Sequence, residues 1–339
     1  MSDFQPTIFL VKNRALGDSI MGLSAVSYFR KLYPKSTIIY AVPQWTAELY
    51  LKIKTDADVI YPLDLSSISS ILDLYTDLIN FKVDAIHEMH QSGTGRKVFS
   101  FISAMLNIPY TAHNHHLEIP TQVLDQGVKK ELIQRDLDGI YSFYGKQKAV
   151  PSFLNFEPSF NLISKEKLSR LIIGVVATRE TKMWPLENYI DLATKVLDQN
   201  LFSEVVIPLS HSQMDVGIKK QLAKIIHHPQ IKIVHISLSD LPHFFAQSKM
   251  YIGNDTGLKH LAVAAQIPTI TLFGPEPIKE WHPYNQEKHI AFYIEDLPCR
   301  VRTHHYCGLF KCDLSVDKFM QCMKLIEVEM VIEKLKRVV

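Results

Sequence analysis

Little in this 339-residue chain marks an extreme class of protein. It has four cysteines, Cys299, Cys307, Cys312 and Cys322, too few for a disulfide-dependent secreted fold of this size, and no C-x-x-C pair. A formal net charge of +2 supplies no field strong enough to imply a nucleic-acid partner. Long hydrophobic runs are missing too. The uncharged stretch from Leu261 to Pro275 carries Gln266, Pro268 and Gly274, so it breaks before it could cross a bilayer. The amino terminus, MSDFQPTIFLVKNRALGD, lacks the basic, apolar and small-residue order of a secretory signal, and a cytoplasmic location is the resulting expectation. Short repeats and low-complexity tracts are absent. So are the G-x-G-x-x-G dinucleotide fingerprint and the Gly-Lys-Ser/Thr of a Walker loop.

What is present is ordinary globular composition, 47% apolar and 21% charged, with short β-branched runs alternating with segments of helical period. That alternation predicts an α/β fold with parallel sheets. Strands are expected at Ile8 to Val11, Thr37 to Val42, Val59 to Tyr61 and Ala85 to Met89, with a helix from Met21 to Leu32. After a Pro-, Ser- and Asn-rich segment, Val150 to Lys165, the pattern restarts. Further strands are expected at Leu171 to Val176, Val205 to Pro208, Ile231 to His235, Met250 to Gly253 and Thr269 to Phe273. Two wound, Rossmann-like domains follow, residues 1–158 and 159–339, whose strand ends would face a ligand-binding cleft.

Three strand-end motifs carry the chemistry. In FLVKNRALGDSIMG, Gly17-Asp18 opens a helix; Asp18 either caps it or serves as a carboxylate base. In VVATRETKMWPLENY, Arg179 and Lys182 precede a helix start marked by Pro185, with Pro at the first helical position, an arrangement that suits a phosphate or leaves two solvated charges. In YIGNDTGLKHLAVAAQ, the apolar positions Leu258, Leu261, Ala262 and Ala265 form one helix face, which puts Lys259 and His260 elsewhere on the surface. Thr256 or Asp255 is the candidate cap, and Gly257 permits close approach of a ligand. His87 and His90, at i, i+3 on a strand, make no convincing metal pattern and suit a hydrogen-bonded role; His304 and His305 near the cysteines are a weak case for zinc. Arg96 and Lys97 open another helix, as ligands for acceptor phosphate or carboxylate groups or as solvated charges.

Taken in order, LGDSIMGLSAVSYFRKLYP, TKMWPLENYIDLA and IGNDTGLKHLAVAAQIPTITLFGP with WHPY resemble glycosyltransferase family 9, the ADP-heptose:lipopolysaccharide heptosyltransferases. The resemblance implies a two-domain glycosyltransferase of the B type, with the acceptor at the first domain and the nucleotide sugar at the second. It also implies a C-terminal helix packed back on the first domain. By the same resemblance Asp18 is the catalytic base, Lys182 contacts the donor phosphates, and Asp255, Thr256, Gly257 and His260 line the donor site. The implied reaction is inverting, needs no cofactor or metal, and uses a nucleotide sugar and a lipid-linked saccharide as substrates, with peripheral contact at the inner membrane. Two departures bear on the donor pocket. Glu276 stands where relatives commonly carry Thr and an Asp-Pro, and only Gln213 and Asp215 loosely match an acidic ribose ligand. A sugar-nucleotide 2-epimerase or a catalytically silent nucleotide-sugar-binding module are the alternatives.

Overall fold

The computed structural model describes residues 5–113, 130–146, 148–162, 166–295, 297, 299 and 311–338. The chain divides into two compact units, Met1–Asn161 and Leu162–Val339, so the division falls inside the Pro/Ser/Asn-rich segment.

The first unit is a five-stranded parallel sheet. Its strands are β1 (Thr7–Val11), β2 (Thr37–Pro43), β3 (Val59–Leu63), β4 (Ala85–Met89) and β5 (Tyr110–His113), in the spatial order β3-β2-β1-β4-β5. Its helices are α1 (Leu16–Met21), α2 (Leu23–Leu32), α3 (Gln44–Ala47), α4 (Ile68–Asn80), α5 (Gly93–Leu106) and α6 (Leu132–Ile140). The helix expected from Met21 to Leu32 is α2, which starts at Leu23 and is separated from α1 by Gly22 alone. A side chain there would strike the Tyr40 hydroxyl and crowd the stem of Lys12. Phe9, Val11, Ile39, Ile86, Phe99 and Ile102 are fully buried in a core between the sheet and the helices α4 and α5.

The second unit is a six-stranded parallel sheet. Its strands are β6 (Leu168–Gly174), β7 (Glu204–Pro208), β8 (Ile231–Val234), β9 (Ser248–Asn254), β10 (Thr269–Phe273) and β11 (His289–Tyr293), in the order β11-β10-β9-β6-β7-β8. Its helices are α7 (Leu186–Asp198), α8 (Gln213–Ile225), α9 (Leu241–Ala246), α10 (Gly257–Ala264), α11 (Ile278–Trp281), α12 (Gln321–Lys324) and α13 (Val328–Leu335). Pro185 is the residue before α7 rather than its first turn, with ψ of 134°. The apolar face of α13, Val328, Val331, Ile332 and Leu335, joins the core of this unit, where it meets α7. Among the described residues no helix is long and apolar enough to cross a membrane.

In both sheets the strand order reverses once. The reversal lies between β1 and β4 in the first unit and between β6 and β9 in the second. Open parallel sheets bind ligands beyond the carboxyl ends of the strands at such points, because the loops there leave in opposite directions.

Candidate donor and base sites

The loops leaving β6 and β9 bring the second and third motifs together. Gly174 and Gly253 are partners in register, and side chains there would collide with the hydroxyl end of the buried Tyr251 ring. Beyond them, Asn254 ties the two loops. Its Oδ1 accepts from the Trp184 amide (3.1 Å) and the Tyr189 hydroxyl (2.7 Å), and its Nδ2 donates to the Val175 carbonyl (2.9 Å). Trp184 is fixed in turn by its indole N–H, which donates to the Ile326 carbonyl (2.9 Å). The polar end of β9 is thus a clamp. Asn254→Ala strands two buried donors and a carbonyl, and should cost at least about 2 kcal/mol in urea unfolding; an unchanged midpoint would remove the clamp role.

The carboxylate of the next residue, Asp255, sits between two ammonium groups. Lys182 Nζ lies 2.9 Å from Oδ2, and Lys259 Nζ lies 2.5 Å from Oδ1. Burial opposes the charge on Asp255, but the two lysines outweigh it and hold the carboxyl below its ordinary range. Lys259 and His260 are not on the surface as the helical stripe predicts. They are 0% and 3% exposed, because the segment from Trp281 to Tyr284 covers that side of α10. Lys259 donates to the Trp281 carbonyl (2.6 Å) and lies over the Phe273 ring, 4.8 Å from its centroid. Burial pushes its pKa down to about 8. His260 is hydrogen-bonded through Nδ1 to the Tyr284 hydroxyl; burial, reinforced by Lys259, keeps its imidazole neutral.

Neither expected cap closes the start of α10. Thr256 has extended backbone but makes no side-chain cap hydrogen bond, and Asp255 is held by the lysines. The amides that a helix start leaves without intrahelical partners, those of Gly257 and Leu258 among them, are not taken up by a cap side chain. Arg179, the other cation of the second motif, is ion-paired with Glu276. Asp215 accepts from the Ser210 amide (2.6 Å) and the Ser212 hydroxyl (2.7 Å) at the start of α8, a local role.

In the first unit, Asp18 is the third residue of α1 and buried, with the Ala15 amide hydrogen-bonded to its carboxylate. Burial raises its pKa, and the charges of Lys12 and Arg14 offset this only in part. Behind it lies a polar chain that the sequence did not signal. Lys12, at 0% exposure, donates to both oxygens of Asp136 on α6 (2.8 and 2.6 Å), and Asp136 meets His113 Nε2 at 3.1 Å. His113 Nδ1 shares a hydrogen bond with His87 Nε2 (3.0 Å), whose Nδ1 shares one with Thr111 (2.7 Å). His87 therefore has the hydrogen-bonded role expected of it. Arg96 and Lys97 lie exposed near the start of α5, where Ser92 is the cap. Cys299, Cys312 and Cys322 form no disulfide with one another; Cys307, His304 and His305 lie outside the described residues.

The profile of glycosyltransferase family 9 (heptosyltransferase) matches residues 116–309, more than half of the chain. The chain belongs to glycosyltransferase family 9. Two curated relatives of this heptosyltransferase family are similar to it. Lipooligosaccharide heptosyltransferase 2 of Campylobacter jejuni is 23% identical over 160 residues, 43% of this chain and 47% of the relative. Lipopolysaccharide heptosyltransferase 1 of Salmonella typhimurium is 31% identical over 98 residues, 29% and 30%. The chain thus spans about half the length, or less, of the curated relatives it matches. Among solved structures, the E. coli ADP-heptose lipopolysaccharide heptosyltransferase II superposes with a TM-score of 0.72 over 98% of both chains at 18% identity. The dodecameric, iron-containing glycosyltransferase TibC of E. coli superposes at 0.56, over 98% of this chain and 76% of that one, at 14% identity. At such identities the likeness is one of fold, and it extends the glycosyltransferase B type of architecture over both units.

Proposed function

We propose that this family 9 protein transfers a heptose from a nucleotide sugar, ADP-heptose, to a lipopolysaccharide-core or related envelope saccharide. The observation that carries the donor half of this reading is the open start of α10 beside Lys182, at the strand-order reversal of the second sheet. A leaving diphosphate gains negative charge as the glycosidic bond breaks. An ammonium group and free helix-start amides are suited to stabilise it without a metal ion. In this reading Lys182, with the amides of Gly257 and Leu258, takes the diphosphate, Asp255 and Thr256 shape the turn, and His260 anchors it through Tyr284.

Asp18 takes the acceptor hydroxyl proton as the new bond forms. Its raised pKa makes it a better base than an exposed aspartate, since basicity rises with pKa. Direct attack by that hydroxyl at the anomeric carbon, with the nucleoside diphosphate leaving from the opposite face, gives a single displacement with inversion. Arg96 and Lys97 are the acceptor-binding candidates. A lipid-linked acceptor would bring the protein to the cytoplasmic face of the inner membrane by peripheral contact.

The test is release of ADP from ADP-heptose with and without a lipid-linked core saccharide. Acceptor-dependent ADP release with a glycosylated product is expected. Isomerised nucleotide sugar without acceptor would identify an epimerase, and binding without turnover a silent module. Lys182→Met should raise the donor KM by about 10–100-fold, the loss of one or two charge-assisted contacts; an unaltered donor KM would take Lys182 out of the site.

A further inference from the structure

A carboxylate buried in a site for a diphosphate is an electrostatic contradiction, and the surroundings of Asp255 resolve it. The two lysines that flank it are held differently. Lys259 is wholly buried, and its ammonium group is engaged on three sides, by Asp255 Oδ1 at 2.5 Å, the Trp281 carbonyl at 2.6 Å and the face of Phe273. Its stem rises from the first turn of α10, and none of the residue is exposed to solvent. Lys182 stands on the short turn after β6, its side chain is 15% exposed, and it meets Asp255 through the other oxygen, Oδ2, at 2.9 Å. One lysine is enclosed and the other is partly open to solvent.

We propose that Lys259 is a positioning residue for donor binding: it remains the fixed counter-ion of Asp255, so that Lys182 can release the carboxylate and move to the diphosphate of the donor. The inference rests on the donor reading given above. With both lysines protonated and Asp255 ionised, the trio carries one net positive charge before the ligand arrives. When Lys182 turns to the phosphates, the buried carboxylate keeps a partner and is not left alone, which would be costly in this dry surrounding. Without Lys259, Asp255 and the diphosphate would compete for the single ammonium group of Lys182. Asp255 in turn holds Lys182 beside the helix start while no donor is bound. The burial that lowers the proton affinity of Lys259 also keeps water from screening its charge, which is consistent with a fixed counter-ion.

The experiment is titration calorimetry of the full-length chain with ADP as the probe, together with donor KM and kcat and thermal unfolding of each variant. Lys259→Met should weaken ADP about tenfold and raise the donor KM with little change in kcat. The double variant Asp255→Asn/Lys259→Met, which removes the buried carboxylate together with its enclosed counter-ion, should recover ADP affinity to within about threefold of the native chain, because Lys182 no longer has a competing carboxylate. Lys259→Arg should restore little, since the enclosed site fits an ammonium group. Native ADP affinity in Lys259→Met overturns the proposal. So does a loss that the double variant fails to recover, since that marks a structural role for Lys259. If Lys182→Met leaves ADP affinity unchanged, the donor reading itself fails; if Lys182→Met abolishes binding while Lys259→Met does not, only the positioning role falls.

Discussion

Asp18→Asn should lose about 10²- to 10⁴-fold in turnover, the usual contribution of a positioned general base, while donor affinity stays close to that of the native chain. The same variant should unfold at a higher temperature at pH 7. Burial lifts the folded-state pKa of Asp18 above its unfolded value, so the protonated carboxyl is the form the fold favours. Its contribution to stability is complete below the unfolded pKa and is lost as pH rises through the folded one. At neutral pH the ionised group is therefore a cost, and an asparagine of the same shape removes it. Stability gained together with turnover lost is the signature of a functional carboxylate kept in a desolvated position. A variant with near-native turnover would remove Asp18 from the base role. A variant that is also less stable would show instead that the carboxylate serves as the N-terminal hydrogen-bond partner of α1.

Lys12→Met should destabilise the first unit by about 3–5 kcal/mol, read from the denaturant midpoint, because it leaves the fully buried Asp136 without its counter-ion. The double variant Lys12→Met/Asp136→Leu should recover most of that loss, since apolar groups of similar volume commonly replace a buried pair at little cost. Turnover gives an independent check. Lys12 lowers the proton affinity of Asp18 and Asp136 raises it, through their charges. Asp136→Asn should accordingly move the acidic limb of the pH–rate profile down, and Lys12→Met, where it remains folded, should move it up. If both variants shift the limb in the same direction, Lys12 and Asp136 act on Asp18 through structure and not through charge.

Much of the fold is legible along the chain. The central strands β1 and β2 read as near-continuous apolar runs because almost all of their residues are buried, while β9 keeps an apolar centre between polar residues and β10 mixes threonine with apolar residues. Two strands escape such reading, Tyr110–His113 and His289–Tyr293. Both lie at a sheet edge, are only partly buried, and include histidine, so neither the apolar run nor strict alternation is clear. The short third-motif helix misleads for a related reason. A stripe at i, i+3, i+4 identifies the face that meets the sheet, but it does not register a second cover arriving from 22 to 24 residues further on. That cover is what buries Lys259 and His260.

The site divides along the same line. Asp18, Lys182, Asp255, Thr256, Gly257 and His260 stand in short motifs at strand ends, and the local pattern of strand, polar turn and helix is enough to single them out. So is membership of the family, which the order of the motifs suggests and the match over residues 116–309 shows. What a residue at such a position is paired with depends on segments far away in the chain. Asn254 reaches Val175, Trp184 and Tyr189; Lys12 reaches Asp136 across 124 residues; Arg179 is ion-paired with Glu276. The sequence by itself determined the alternation of strands and helices, the family and the strand-end motifs from which the candidate site is proposed, since all of these are written in local order and spacing. Only the tertiary structure decided which charges are paired, which lysine is enclosed and which stays partly exposed, because burial and ion pairing are set by what the fold brings alongside.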